Sequence, residues 1–487
     1  MGILSAIVWL PLITAAIILF VPKTQVKMIQ GVALLGSAAA FMLAWGLLAS
    51  FDNSLTALQF SEKLPWVPEM GMTYHIGVDG LSFPMVLLTT LLTLVALVAS
   101  ISSVTERVKG YFCWFLLMEF ALLGVFSAQD WFLFYMFWEI TLIPMFFLIG
   151  IWGGEQRSAA SMSFFLYTLG GSVFMLLGMI AAYIAMPEPH SFNMIDMAKA
   201  HVGWSKDFQI MVFMGFFLGM AVKVPCFPLH GWLSLAHVEA PAPVSIMLSG
   251  VLLKMGAYGL MRMLGLVPEG VLWFLPFLFA LGVINIVYGS LMAWRQNDLK
   301  AMVAYSSISH MGFVLIGIAA LTQTGLTGAV MQMFTHGIIT AALFMLVGAI
   351  YERTHTRMVG DFGGLARPMP HYAVAMSLAL LASMGLPGLA GFISEFHALV
   401  GAFERWGMAV AFAAVGVLIT AAYSLRTIGR MFMGPLNPKW EGIADLNVRE
   451  MAALFPLMLL IVGLGIIPGT ALNLVKASLN HILAVFK

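Results

Sequence analysis

Lys223, in "MVFMGFFLGMAVKVPCFPLHGWL", and Lys254, in "SIMLSGVLLKMGAYGLM", place ammonium groups inside stretches apolar enough to live in a bilayer. Glu139, in "FLFYMFWEITLIPMFFLIG", and Glu395, in "GLPGLAGFISEF", do the same with carboxylates. A charge at the centre of a spanning helix costs about 2.5–3.5 kcal/mol on insertion scales, so such groups usually mark an ion or proton path. His310 ("SSISHMG") and His336 ("MQMFTHGIIT") add imidazoles, the side chain that titrates nearest neutrality. The chemistry open to this set is binding, releasing and passing on protons.

Each residue also has a plainer reading. Glu139 either binds protons opposite a lysine on another helix or only ties helices together. Lys223 is its candidate partner, as the nearest deeply placed cation; its hold on a proton would then depend on whether the pair is open or closed. The alternative for Lys223 and Lys254 is a structural ion pair. Glu395 carries a proton toward one face or is a satisfied helix-end carboxylate. His310 and His336 are relay groups or hydrogen-bonded core histidines; a paired-histidine haem site is a rival that needs both facing one cavity. His230 and His237, in "PLHGWLSLAHVEAPAPVS" with Glu239, either guide protons inward or cap a helix break. Glu119 ("LLMEFALL") is a further acid within a span. Asp130, Arg262 and Glu269 fall near helix ends, where snorkelling makes charge cheap, and read as structural.

These groups need a scaffold, and the composition fixes its class. Of 487 residues 61% are hydrophobic and 9% charged, against about 45–50% and about 25% in soluble proteins. The fold class is an all-α polytopic membrane protein. About fourteen apolar runs start near residues 3, 28, 81, 111, 131, 162, 208, 242, 271, 300, 325, 371, 406 and 450. Longer loops are expected at about 51–80, 187–207, 351–370 and 434–449. The first run, lacking a basic leader, reads as a retained helix rather than a signal peptide. The segment after Pro468 is weakly amphipathic and suits the membrane interface. With the amino terminus outside, inner loops hold fourteen Lys and Arg (Lys300 and Arg357 among them) and outer loops six, which predicts both termini on the outer side.

The sequence excludes several functions. Two cysteines, Cys113 and Cys226, cannot supply a four-cysteine iron–sulfur or zinc site. There is no Gly-rich phosphate loop after a strand and no basic cluster for nucleic acid. The energy source is therefore expected elsewhere. A faint repeat is visible: "AVKVPCFPLHGWL" and "ASMGLPGLAGFISEF" are both apolar spans broken by Pro and Gly, with Pro225 and Pro387 162 residues apart. The interval covers five spans, an odd number, so successive units insert with opposite orientation. Paired broken helices in inverted halves point to a transport site at the membrane midplane, because the freed backbone groups must be satisfied there.

Three stretches, "FLFYMFWEITLIPMFFLIGIWGG", "KVPCFPLHGWLSLAHVEAPAPVSIMLSGVLLKMGAYGL" and "AYSSISHMGFVLIG", together with "LPGLAGFISEF", resemble the antiporter-like membrane subunits of respiratory complex I, the proton-pumping NADH:quinone oxidoreductase. The match runs from about residue 111 to 400. By Glu395 the chain most resembles the family's M type, since the L and N types and the related subunits of multi-subunit cation/proton antiporters typically place a lysine there. The end soon after the fourteenth span also leaves out the long lateral helix of the L type.

The resemblance implies fourteen helices: 1–110 as helices 1–3, inverted repeats at 111–268 (helices 4–8) and 269–433 (helices 9–13), and 434–487 as the last helix and tail, with helices seven and twelve broken. It maps the family's glutamate–lysine pair onto Glu139 and Lys223, its central lysine onto Lys254, its outward-side acid onto Glu395, and relay positions onto His310 and His336. It implies no cofactor on this chain, with FMN, iron–sulfur clusters and quinone on partner subunits. Its expected partners are the L- and N-type chains on either side, the lipid bilayer and protons, without nucleic acid, in an energy-coupling membrane of the bacterial inner-membrane kind. The expected function is proton translocation through the buried Glu/Lys/His axis. The alternatives are a subunit of a multi-subunit cation/proton antiporter, which sodium-dependent proton exchange without a redox donor would reveal, and a structural spacer, in which Lys254 and Glu395 variants would pump normally.

Overall fold

A computed structural model of the chain describes residues 2–486. Six continuous helices come first: α1 (Ile3–Phe20), α2 (Val26–Gly46), α3 (Phe83–Ser103), α4 (Val108–Ser127), α5 (Trp131–Trp152) and α6 (Arg157–Ile184). A short α7 (Met194–Ala200) precedes the seventh pass, which is in two pieces, α8 (Lys206–Lys223) and α9 (Gly231–Glu239). The eighth pass is α10 (Ala242–Met247), a π-helical turn over Leu248–Leu252, and α11 (Leu253–Met263). Then come α12 (Pro268–Arg295), α13 (Leu299–Ala320) and α14 (Gln323–Thr354). The twelfth pass is again broken, into α15 (Pro370–Ser383) and α16 (Ala390–Trp406). It is followed by α17 (Ala411–Phe432), α18 (Val448–Ile466) and α19 (Gly469–Ala484). Fourteen passes result, with starts within five residues of those read from hydropathy.

Burial sorts the passes as the sequence dictates. Polar and ionisable residues within a membrane face the interior of the bundle; the eighth pass, α13 and α14, which carry Lys254, His310 and His336, are enclosed on nearly every side. The outer helices α2, α6 and α17 expose large apolar side chains such as Leu35, Leu166 and Leu418, which suits a lipid face.

Three loop expectations change. The stretch 51–80 is not all loop. It forms an antiparallel hairpin, β1 (Gln59–Val67) with β2 (Met72–Val78), that Pro65 and Pro68 conceal in the sequence. Glu62 of β1 caps α1, accepting from the amides of Gly2 (2.7 Å) and Ser5 (2.9 Å) and from the Ser5 hydroxyl (2.8 Å). The stretch 187–207 contains α7, and α14 runs on to Thr354. The segment after Pro468 is helical, but it is docked: Val475, Ser478 and Leu479 are buried, and the Ser478 hydroxyl accepts from the Gly80 amide at 2.8 Å.

His75 of β2 fastens the hairpin to the bundle. Its Nε2 meets the Ser61 hydroxyl at 3.0 Å, and its Nδ1 meets the Asn193 side-chain nitrogen at 2.7 Å. The Asn193 amide donates to Nδ1, which requires a neutral ring. Burial first, and then Lys63, push this imidazole down to about 4 from its ordinary 6.5. Between those values the unfolded hairpin binds more protons than the folded one, so its stability is full above pH 6.5 and falls as pH drops toward 4. Amide protection over residues 59–78, corrected for intrinsic exchange, is expected to decline across that window. The decline should vanish in His75→Gln; an unchanged decline there would remove His75 as its cause.

Candidate proton-transfer site

The two broken passes enter the centre of the bundle, where free backbone groups need partners. At the first break, Asn285 of α12 supplies both: its Oδ1 accepts from the Phe227 amide (2.8 Å), and its Nδ2 donates to the Pro225 carbonyl (3.1 Å). At the second, the chain turns back on itself through Gly385 and Gly388, whose φ of 76° and 91° suit glycine. The Leu386 amide there returns to the Leu381 carbonyl at 3.1 Å.

Lys223 ends α8, just before the first break, where the helix dipole favours a cation. It is fully buried, and its Nζ has no hydrogen-bond partner among the described residues. It lies over two aromatic faces instead, Phe164 at 5.0 Å and Trp138 at 5.6 Å. Glu139 is the neighbour of Trp138 on α5 and is the carboxylate whose field reaches Lys223. No N–O contact within 4.0 Å joins them, and Glu139 Oε1 is itself unpartnered among the described residues.

Lys254 follows the π turn, a feature that had no marker in the sequence. A π turn carries a carbonyl out of the regular ladder, and the Lys254 ammonium donates to the carbonyl of Ser249 within it. The same Nζ lies 2.7 Å from His336 Nδ1 on α14. Glycines make that approach possible: a Cβ on Gly337 would sit 2.9 Å from the Gly250 carbonyl, too close to fit. The His336 and His310 rings are 5.4 Å apart. His310 Nδ1 is 2.9 Å from Glu395 Oε1, and its Nε2 is 3.0 Å from the Ser383 hydroxyl. Lys254, His336, His310 and Glu395 therefore form one line across α11, α14, α13 and α16, all of them buried. The two histidines do face one cavity, but it measures about 10 Å³. That is roughly the space of one water, which leaves no room for haem.

The other residues sort themselves around this line. His237 is fully buried, stacked on Phe344 at 4.7 Å, with both ring nitrogens unpartnered among the described residues. The charges of Lys254 and Lys300 both reach it. His230 stands apart: its Nε2 meets the Tyr288 hydroxyl at 3.1 Å, at the edge of the break. Glu119 is buried in α4, with only a 3.4 Å contact from the Ser37 hydroxyl. Arg262 does not snorkel; it forks onto Asp79 at 2.6 and 2.8 Å, inside the protein. Asp130 is buried as the cap of α5, accepting from Phe132 and Leu133.

Lys300 is the residue that sequence reasoning misplaced. Counted as an inner-loop charge, it is 5% exposed in the first turn of α13, with its ammonium on the carbonyls of Val238 and Ala240. It lines an open cavity of about 450 Å³ together with Glu239 and Arg357, and its charge reaches His237. A lysine that begins a span next to Asp298 looks like a loop charge; only the end of α9 folding over it makes it an interior one. Tyr423 of α17, a buried tyrosine within the field of Glu395, was missed for the same tertiary reason.

Residues 128–420, which hold every member of the line, match the family described as NADH:quinone oxidoreductase/Mrp antiporter, transmembrane. Subunit M of NADH-quinone oxidoreductase from Rickettsia bellii is 39% identical over 99% of both chains. The chain belongs to this family, on its subunit M branch. Among solved structures, a chain of respiratory complex I from Thermus thermophilus with bound NADH superposes with a TM-score of 0.89 at 30% identity, covering 99% of each chain. The Mrp complex of a Dietzia species gives 0.88 at 21% identity over 100% of both, a likeness of fold alone.

Proposed function

We propose that this chain is a proton-translocating subunit in the membrane arm of an NADH:quinone oxidoreductase, with the redox chemistry on partner subunits. The observation that carries this reading is the buried line Lys254–His336–His310–Glu395, hydrogen-bonded at each end with the two imidazoles 5.4 Å apart between them, in a subunit M relative. Flavin, iron–sulfur clusters and quinone are assigned to the partners, since two separate cysteines cannot ligate a cluster. L- and N-type chains flank it in this reading. Both termini face outward by the Lys/Arg asymmetry, and residues 111–268 and 269–433 are the two inverted units.

The step is electrostatic. A charge change in a neighbouring subunit closes or opens the Glu139–Lys223 pair, and the altered field at Lys254 makes it take up or release a proton. Protons arrive from the cavity behind Lys300 and pass His237, with water bridging the gaps between side chains. They leave Lys254 by His336 and His310 to Glu395. Unit charges about 4 Å apart interact by ~4 kcal/mol at an effective dielectric near 20. Moving one charge against the membrane costs about 2.3 kcal/mol per 100 mV. One switched pair is therefore of the right size to drive one proton.

Glu139→Ala and Lys223→Ala are the tests. Each is expected to abolish proton translocation by the reconstituted complex while the complex still assembles. Full pumping in either variant would take the pair out of the mechanism. Sodium-dependent proton exchange without a redox donor would instead favour the antiporter reading, against which Glu395 stands.

A further inference from the structure

Away from the proton line, α1 and α4 leave a groove of about 980 Å³ between them, open to the outside of the bundle. Its size is at the top of the roughly 300–1,000 Å³ of small-ligand sites. Its shape and chemistry are those of the membrane. The walls are apolar, with Leu12 and Leu19 on α1 and Trp114 and Leu117 on α4. Trp114 is held flat by stacking on Phe147 at 4.7 Å. One end is cationic: Lys23, Arg107 and Lys109 all line it. Lys109 is fixed there by the carbonyls of Leu19 (2.7 Å) and Val21 (2.9 Å), while Lys23 and Arg107 are exposed. The same end holds the first turn of α4, where no side chain caps the free amides and where the helix dipole favours an anion. The neighbouring acid, Glu106, is not part of the groove wall.

We infer that this groove is a binding site for an anionic phospholipid, with acyl chains along Leu12, Leu19 and Trp114 and the phosphate at Lys23, Arg107 and the start of α4. Charge complementarity selects this occupant. A zwitterionic lipid brings the same phosphate but adds an ammonium that Lys23 and Arg107 would repel, so a net anionic headgroup answers this end better. An apolar partner helix would bring nothing to that end. Basic pockets between spanning helices are a recurring means of holding anionic headgroups.

The test uses the assembled complex in phosphatidylcholine vesicles carrying a minor share of phosphatidylglycerol with a photoreactive diazirine in its acyl chain. Illumination is expected to place adducts on residues 12–19 and 113–117. Yields should be at least about fivefold those from the matching phosphatidylcholine probe, given the pull of basic residues on anionic lipid. The Lys23→Ser/Arg107→Ser pair should erase that preference, and Ala16→Trp, which fills the exposed groove wall, should erase the adducts. Equal labelling by both lipids would overturn the headgroup assignment. The absence of adducts in the wild-type complex would mean protein covers the groove, and would overturn the site. If the variants fail to assemble, the wild-type comparison of the two probes alone decides.

Discussion

Lys254→Met is expected to stop proton translocation while leaving the bundle intact. Methionine has nearly the length of lysine and suits the fully buried position. It lacks the one group that joins the Ser249 carbonyl to His336 Nδ1. Two buried acceptors lose a partner, at about 1–3 kcal/mol each, which a bundle of this size can absorb. The path, however, loses the titratable group that hands protons on to His336. A loss of at least about tenfold in the rate of proton translocation is expected, equivalent to about 1.4 kcal/mol on the barrier. Lys254→Arg makes the sharper test. Guanidinium keeps the charge but does not release its proton in proteins. Pumping lost in both variants assigns the lysine a proton-carrying role. Normal pumping in the arginine variant would leave it as a fixed charge only.

Arg262→Ala should cost the most stability of any single change. Arg262 forks onto Asp79 at 2.6 and 2.8 Å, and both side chains are nearly enclosed. Removing one member of a buried pair strands the other charge, typically at about 3–5 kcal/mol. Asp79 also accepts from the amides of Leu81 and Ser82, so it organises the turn that leads into α3 and receives α19. Loss of assembled complex is the expected readout. Replacing both partners with apolar residues, Asp79→Leu with Arg262→Met, should restore much of it, because nothing charged is then left buried. If the single variant assembles as well as wild type, the pair contributes little to the fold.

The passes were legible because a bilayer demands a long apolar run, and each run announces itself locally. The buried charges were legible for the converse reason: Glu139, Lys223, Lys254 and Glu395 interrupt such runs. The breaks showed through Pro225 and Gly385–Gly388. What did not show is everything set by one helix against another. Nothing in "MLSGVLLK" signals a π turn, and nothing in either segment places Lys254 on His336. Lys300 reads as a surface charge until α9 is folded over it. The hairpin was hidden because Pro65 within β1 and Pro68 in the turn after it both look like loop residues in a short, isolated pair of strands.

Asn285 gives the two halves unequal mechanics. One amide from a neighbouring helix pins the linker of the first break, donating to Pro225 and accepting from Phe227 two residues on. The second gap has no such side-chain clamp among the described residues; its main chain closes on itself, as at the first, and α18 packs against it where Gly465 meets Gly388. Deformation imposed along the bundle will therefore concentrate at the Glu395 end, while the Lys223 end stays stiff. The sensor is built as a fixed anvil and the outlet as a spring.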